Sequence, residues 1–136
     1  MIRLAPLALA LLAPVPAPAQ SPMTPGEYEA LAEGRTLHYT LQGRPFGAEQ
    51  YFPGRRSIWR FNTGICTSGE WHAEGDNICF TYGSDAPAIC WRFQRSGDRV
   101  SAALMPSATD PDPDFRLDLS HIDDEPLPCP GPDTGM

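Results

Sequence analysis

The chain reads as an all-β protein with one short N-terminal helix, an antiparallel up-and-down meander of about eight strands closed into a barrel or a strongly rolled sheet. Three observations predict this. Short runs of alternating apolar and polar residues follow one another from Thr36 to Ser120, separated by Gly, Asp, Asn and Pro, the pattern of strands joined by tight turns. The inward positions of those runs include Tyr39, Trp59, Phe61, Trp71, Phe80, Tyr82, Trp91 and Phe93. That is more aromatic surface than one face of an open sheet under a short helix can hide, and closure buries it while removing the edges. Finally, one hairpin register satisfies an apolar face and brings Cys79 opposite Cys90. A two-sheet β-sandwich is the alternative architecture.

Residues 1–19 read as a secretory leader. Met1-Ile2-Arg3 is a short basic start, Leu4 to Val15 is apolar, and Ala17-Pro18-Ala19 places small residues where a signal peptidase cuts, so cleavage is expected after Ala19. The apolar run is about a dozen residues and is broken by Pro6 and Pro14, short of the ~20 that a membrane span needs. The expected location is therefore the periplasm or the medium, with no membrane span.

A helix is expected over 25–33. Thr24 can cap it, Pro25 suits its first position, Glu27 completes a capping box, and Gly34 ends it. Tyr28, Leu31 and Ala32 make one apolar stripe, and a helix this short is held only by packing that stripe on something. Thr36 to Leu41 then alternates, with Leu37, Tyr39 and Leu41 on one face. Gln42 to Gly47 reads as a turn, and Ala48 to Phe52 as a weaker strand whose buried face the pattern does not assign. After Pro53-Gly54, Arg56 to Asn62 sets Trp59 and Phe61 on one face and Ile58 and Arg60 on the other.

Ile65 to Phe93 holds three strands, Ile65 to His72, Asn77 to Tyr82 and Ala88 to Phe93, around turns at residues 73–77 and 83–87. Pairing residue 80 with residue 89 aligns Ile78, Phe80 and Tyr82 with Ile89, Trp91 and Phe93. It also sets Cys79 across from Cys90, where facing Cβ atoms lie about 4.5 to 5.5 Å apart. Trp71 joins the apolar face when residue 71 pairs with residue 78. Arg99 to Met105 turns Val100, Ala102 and Leu104 inward, Pro106 to Asp114 reads as a mobile loop, and Phe115 to Ser120 turns Phe115, Leu117 and Leu119 inward. Residues 20–120 thus form one domain, and 121–136 an irregular tail.

Four cysteines in a short exported chain are most economically two disulfides. Three connectivities exist. In the register above Cys66 lies near residue 83, several positions along the ladder from Cys79, which favours Cys79 with Cys90 and Cys66 with Cys129, the second bond tying the tail to the sheet. The spacing lacks the close C-x-x-C pairs of zinc sites, so no metal is expected on the cysteines.

All ten basic residues are arginines, against seventeen acids, for a formal charge of −7. So acidic a domain gains nothing from a phosphate backbone or an anionic membrane, which excludes nucleic acid as an expected partner and leaves a small molecule or a basic protein. No catalytic constellation and no cofactor motif is present. His38 and His72 fall on outward faces, no G-x-S-x-G or H-E-x-x-H appears, and every acid lies in a turn, a polar face or a tail. Asp110-Pro111-Asp112-Pro113-Asp114 starts like a calcium loop, but Phe115 and His121 stand where glycine and a bidentate acid are needed. Arg44, Arg55 and Arg56 are the candidate contacts for an anionic ligand, gathered at one end of the sheet. The large rings could line a pocket, but a filled interior is the expectation.

The run Cys66-x-x-Gly69-x-Trp71, then Ile78-Cys79-Phe80-x-Tyr82, then Cys90-Trp91, with the tail Cys129-Pro130-Gly131-Pro132-Asp133, resembles a group of small exported, disulfide-containing proteobacterial proteins of unknown function. The resemblance implies export and this cysteine framework, and no activity. The function expected is a non-enzymatic binding or interaction module. An inhibitor of a basic hydrolase such as lysozyme, and a hydrolase with an unrecognised site, are the alternatives.

Overall fold

Tight turns between short alternating strands leave the chain little choice but to pair each strand with the next. The computed structural model describes residues 1–15 and 21–130. Its strands are β1 (Ser21–Pro22), β2 (Thr36–Leu41), β3 (Arg44–Phe52), β4 (Arg56–Phe61), β5 (Cys66–Glu74), β6 (Asn77–Thr81), β7 (Ile89–Ser96), β8 (Arg99–Met105) and β9 (Arg116–Asp123), with one helix, α1 (Pro25–Ala32). The sheet order is β1-β7-β6-β5-β4-β3-β2-β9-β8, and pairing of β8 back onto β7 closes β2 to β9 into an eight-stranded antiparallel barrel. The barrel, not the sandwich, is the solution adopted. Strand β1, which the sequence pattern does not reveal, is a two-residue addition at the edge of β7.

Residues 1–15 carry no regular structure, and Leu4, Leu7 and Leu12 are fully exposed. The expected cleavage point after Ala19 lies outside the described residues. Among those residues no helix is long and apolar enough to cross a membrane.

The expected turn over 42–47 is much tighter. Gln42 and Gly43 both take positive φ (51° and 79°), and Leu41 pairs directly with Arg44. This is the two-residue hairpin that matches strand twist, and it frees residues 44–47 to extend β3. The β5–β6 turn is also shorter than expected. Glu74 pairs with Asn77, so Trp71 pairs with Phe80 and not with residue 78. A shift of two positions preserves the face of every side chain, which is why the expected aromatic face survives the correction. Cys79 does face Cys90, and Phe80 faces Ile89.

Both disulfides form as expected, Cys79 with Cys90 and Cys66 with Cys129. The tail is irregular only beyond β9, which runs on to Asp123 against Thr36. From there Thr36 Oγ1 donates to the Glu125 carbonyl and Gln50 Oε1 accepts from Leu127 N–H. The tail thus crosses the outer face of the sheet beside Ile58, the cross-strand partner of Gln50, which is 1% exposed although it lies outside the core cluster. The loop of residues 106–114 is tied down too. The Ala108 carbonyl accepts from Asn77 Nδ2 at 3.1 Å and from Arg92 at 3.2 Å.

Helix α1 closes one end of the barrel. Thr24 Oγ1 accepts from Glu27 N–H and donates to its carboxylate, both at 3.2 Å. The expected stripe points inward, with Tyr28 and Ala32 fully buried. The Tyr28 ring meets Phe93, Trp71 and Tyr51 at centroid distances of 4.4, 5.3 and 5.8 Å, and its hydroxyl bonds that of Tyr51.

Candidate functional site: an aromatic cavity with one buried carboxyl

Above the floor that Tyr28, Tyr51 and Trp71 make, the barrel is not filled. A cavity of about 400 Å³ runs from Tyr51 and Phe93 to a mouth bordered by Phe46, Phe61, Ile89 and Phe115. The expectation of a filled interior is thereby corrected, and the cause is local. Gly47 on β3 and Gly69 on β5 present no side chain to the interior. The Trp59 ring lies over Gly47, and a Cβ on Gly69 would come within 2.6 Å of the Tyr82 ring. Two large rings are thus laid flat against the wall, where they occupy its surface and leave the axis open. The mouth end is also where the apolar exposure of the folded body concentrates, in Phe61 (38%), Ile65 (63%) and Ile89 (43%).

One charged group reaches this space. Glu49, in the middle of β3, is 2% exposed and lines the cavity, against the expectation that every acid lies in a turn, a polar face or a tail. Its face could not be assigned because Ala48-Glu49-Gln50-Tyr51-Phe52 mixes polar and apolar residues on both parities. Burial pushes the carboxyl up to about 8, against the opposing pull of the Ser57 and Tyr82 hydroxyls. Of these two, Tyr82 is the partner with hydrogen-bond geometry. Its hydroxyl donates to both carboxylate oxygens at 3.0 and 3.1 Å, whereas Ser57 Oγ is buried without an aligned partner. Tyr39, also in the wall, has a buried hydroxyl that interacts with that of Tyr51 but makes no hydrogen bond of good geometry. Burial raises the Tyr28, Tyr51, Tyr39 and Tyr82 phenols above their ordinary range, so all stay protonated donors.

The cavity therefore offers a long aromatic wall, a carboxyl that changes charge near neutrality, and one unsatisfied hydroxyl. It can accept a hydrogen bond or proton from a ligand and donate one to it. Among the described residues Glu49 is the single carboxyl in its lining, and no histidine, cysteine or arginine stands beside it there.

Of the arginines singled out from sequence, Arg55 and Arg56 adjoin at the turn into β4, and Arg44 is not brought to them. Arg44 begins β3 and Arg55 follows its far end, so about 25 Å of strand separates them. Arg55 bridges Glu29 of α1 at 3.1 Å and covers the Trp71 ring at 4.4 Å, which makes it a strap for the helix. His72 is exposed, 3.2 Å from Glu74. His38 is on the outer face as expected, stacked on His121. Comparison with protein-family models, with characterised proteins and with solved structures finds no match.

Proposed function

We propose that this protein is an exported, non-enzymatic binding module that holds one small, largely apolar molecule inside the barrel. The supporting observation is the cavity itself, which falls within the ~300–1,000 Å³ typical of small-molecule sites and has the usual character of an apolar wall with few polar groups. Glu49 selects for a ligand that carries a donor, an amine, an N–H or a hydroxyl, because Tyr82 shares a single proton between its two oxygens and leaves acceptor capacity that burial makes costly to waste. Tyr39 adds a donor for an oxygen on the same ligand. A binding role is favoured over hydrolysis because, among the described residues, the cavity lining holds no serine, cysteine or histidine and no second carboxyl, and the phenol beside Glu49 is kept protonated by burial. The two disulfides fit an oxidising compartment, in keeping with the leader at residues 1–19.

The test uses N-phenyl-1-naphthylamine, an aromatic probe with one N–H, together with native mass spectrometry of protein made in a periplasm. Binding should raise the probe's fluorescence with one molecule per chain. Glu49→Leu should weaken it about tenfold, the ~1.4 kcal/mol of one hydrogen bond to a charged or polar group. A bare mass together with no probe binding at saturating protein would refute the reading.

A further inference from the structure

On the outer wall of the barrel, away from the cavity, β2 and β9 place two histidines and an aspartate at one point. His38 and His121 are direct cross-strand partners, and Asp123, two residues on from His121, shares its face. The two imidazoles stack with centroids 4.0 Å apart and planes 9° apart. Asp123 Oδ2 lies 2.9 Å from His38 Nε2 and 3.7 Å from His121 Nε2, and the three ligand atoms all lie within 4.8 Å of one another. His38 Nε2 is buried yet makes no hydrogen bond, so the Asp123 oxygen stands beside this nitrogen without lying on the line of an N–H.

The bulge between the two strands explains the convergence. His38 pairs with His121 but Tyr39 pairs with Leu119, so Ser120 is the extra residue on β9. Bulges re-aim side chains in this way. Ser120 Oγ donates to the His38 carbonyl at 3.1 Å, which uses its only proton, and it also lies 3.1 Å from His121 Nδ1. The contact with His121 must then run the other way, from Nδ1–H to Oγ, and the neutral ring keeps its lone pair on Nε2, facing Asp123. A metal-bound histidine is held in the same manner, its second nitrogen donating to a fixed acceptor.

We infer that His38 Nε2, His121 Nε2 and an Asp123 carboxylate oxygen form a binding site for one divalent transition-metal ion of the zinc class. Two imidazoles and one carboxylate are a donor set for such ions and not for calcium or magnesium, which take oxygen. Tetrahedral zinc with bonds near 2.1 Å needs its ligand atoms roughly 3.4 Å apart; the 2.9 and 3.7 Å separations from Asp123 Oδ2 bracket that value, and the two ring nitrogens lie within 4.8 Å of each other. Because a metal bound at Nε2 lies near the plane of each imidazole, closing the set requires the two stacked rings to turn out of parallel. His38 and His121 both line a cleft of about 350 Å³ between the sheet and residues 125–128, which Arg60 also lines, leaving room beside the pair for water or an anionic ligand. The second cluster of this kind, His72, Glu74 and Cys79, carries no such site because Cys79 is held in a disulfide.

The experiment is calorimetric titration of untagged, chelator-treated protein with zinc chloride in the presence of excess magnesium and calcium. One zinc per chain is expected. His121→Ala and Asp123→Asn should weaken it at least 100-fold, and Ser120→Ala about 10- to 100-fold, while His72→Ala should leave it unchanged. Ser120 is a positioning residue, so its variant is also followed by ¹⁵N shifts of His121. These should show the Nδ1–H tautomer in the parent and a tautomer mixture in the variant, at the same melting temperature. Zinc should shift the ring signals of both His38 and His121 in the unaltered protein, a readout that needs no variant to fold. Zinc bound no tighter than by His38→Ala/His121→Ala, equal loss in His72→Ala, or ring signals unmoved by zinc would each overturn the site.

Discussion

Glu49 shows how one side chain changes what a strand is for. In the unfolded chain its carboxyl releases its proton near 4.5, and in the folded barrel near 8. Between those values the folded state holds one proton more than the unfolded state, so stability falls as pH rises, by up to about 1.4 kcal/mol per unit, and levels off above about pH 8. Glu49→Gln keeps an acceptor for Tyr82 and removes the titration. Urea midpoints measured from pH 5 to 9 should therefore show the parent losing stability relative to the variant across that window. A difference independent of pH would mean that the carboxyl is ionised throughout. None of this is legible in the sequence, because a carboxylate on the inward parity of a five-residue mixed strand looks like one on the outward parity. Gly47 and Tyr51, which share its parity, were the available signal, a small residue and a large ring on the face that meets the barrel interior.

Among the elements, α1 is the one whose pattern was read nearly in full, since its cap, its proline and its stripe are all local features. Its role as a floor was not readable, because that depends on which end of a closed sheet the linker to β2 begins from. The same division explains the β5–β6 hairpin. Apolar alternation sets the face, but the number of residues in the turn sets the register, and Ala73-Glu74-Gly75-Asp76-Asn77 admits more than one length. The packing of α1 makes a testable ranking. Removing the Tyr28 ring as Tyr28→Ala deletes its contacts with Phe93, Trp71 and Tyr51 and should cost about 3–5 kcal/mol. Tyr28→Phe only strands the Tyr51 hydroxyl, about 1–3 kcal/mol. Arg55→Ala, which breaks an exposed ion pair, should cost less than about 1 kcal/mol beyond its packing over Trp71. Urea denaturation of the three variants checks the order, and a larger loss from Arg55→Ala than from Tyr28→Ala would show that the strap, not the ring, holds the helix.

Closure of the whole molecule was legible because inward aromatic positions outnumbered what an open sheet could cover. The cavity was not, because its volume is a difference between two large quantities, the space inside eight tilted strands and the summed volume of the rings that enter it. Two glycines decide the sign of that difference by letting Trp59 and Tyr82 lie along the wall. This yields a test of the interior that does not depend on knowing the ligand. Leu104 lines the cavity above Ala102, and Leu104→Trp adds a ring's volume to its wall. In a tightly packed core such an insertion forces strained rotamers and costs about 1–3 kcal/mol. In a barrel with about 400 Å³ to spare the new ring has somewhere to go, so the urea midpoint should stay level or rise while N-phenyl-1-naphthylamine binding disappears. Stability lost with probe binding retained would place the probe elsewhere and return the interior to a filled core. Stability kept with binding abolished ties the aromatic wall, the buried carboxyl and the ligand to a single space.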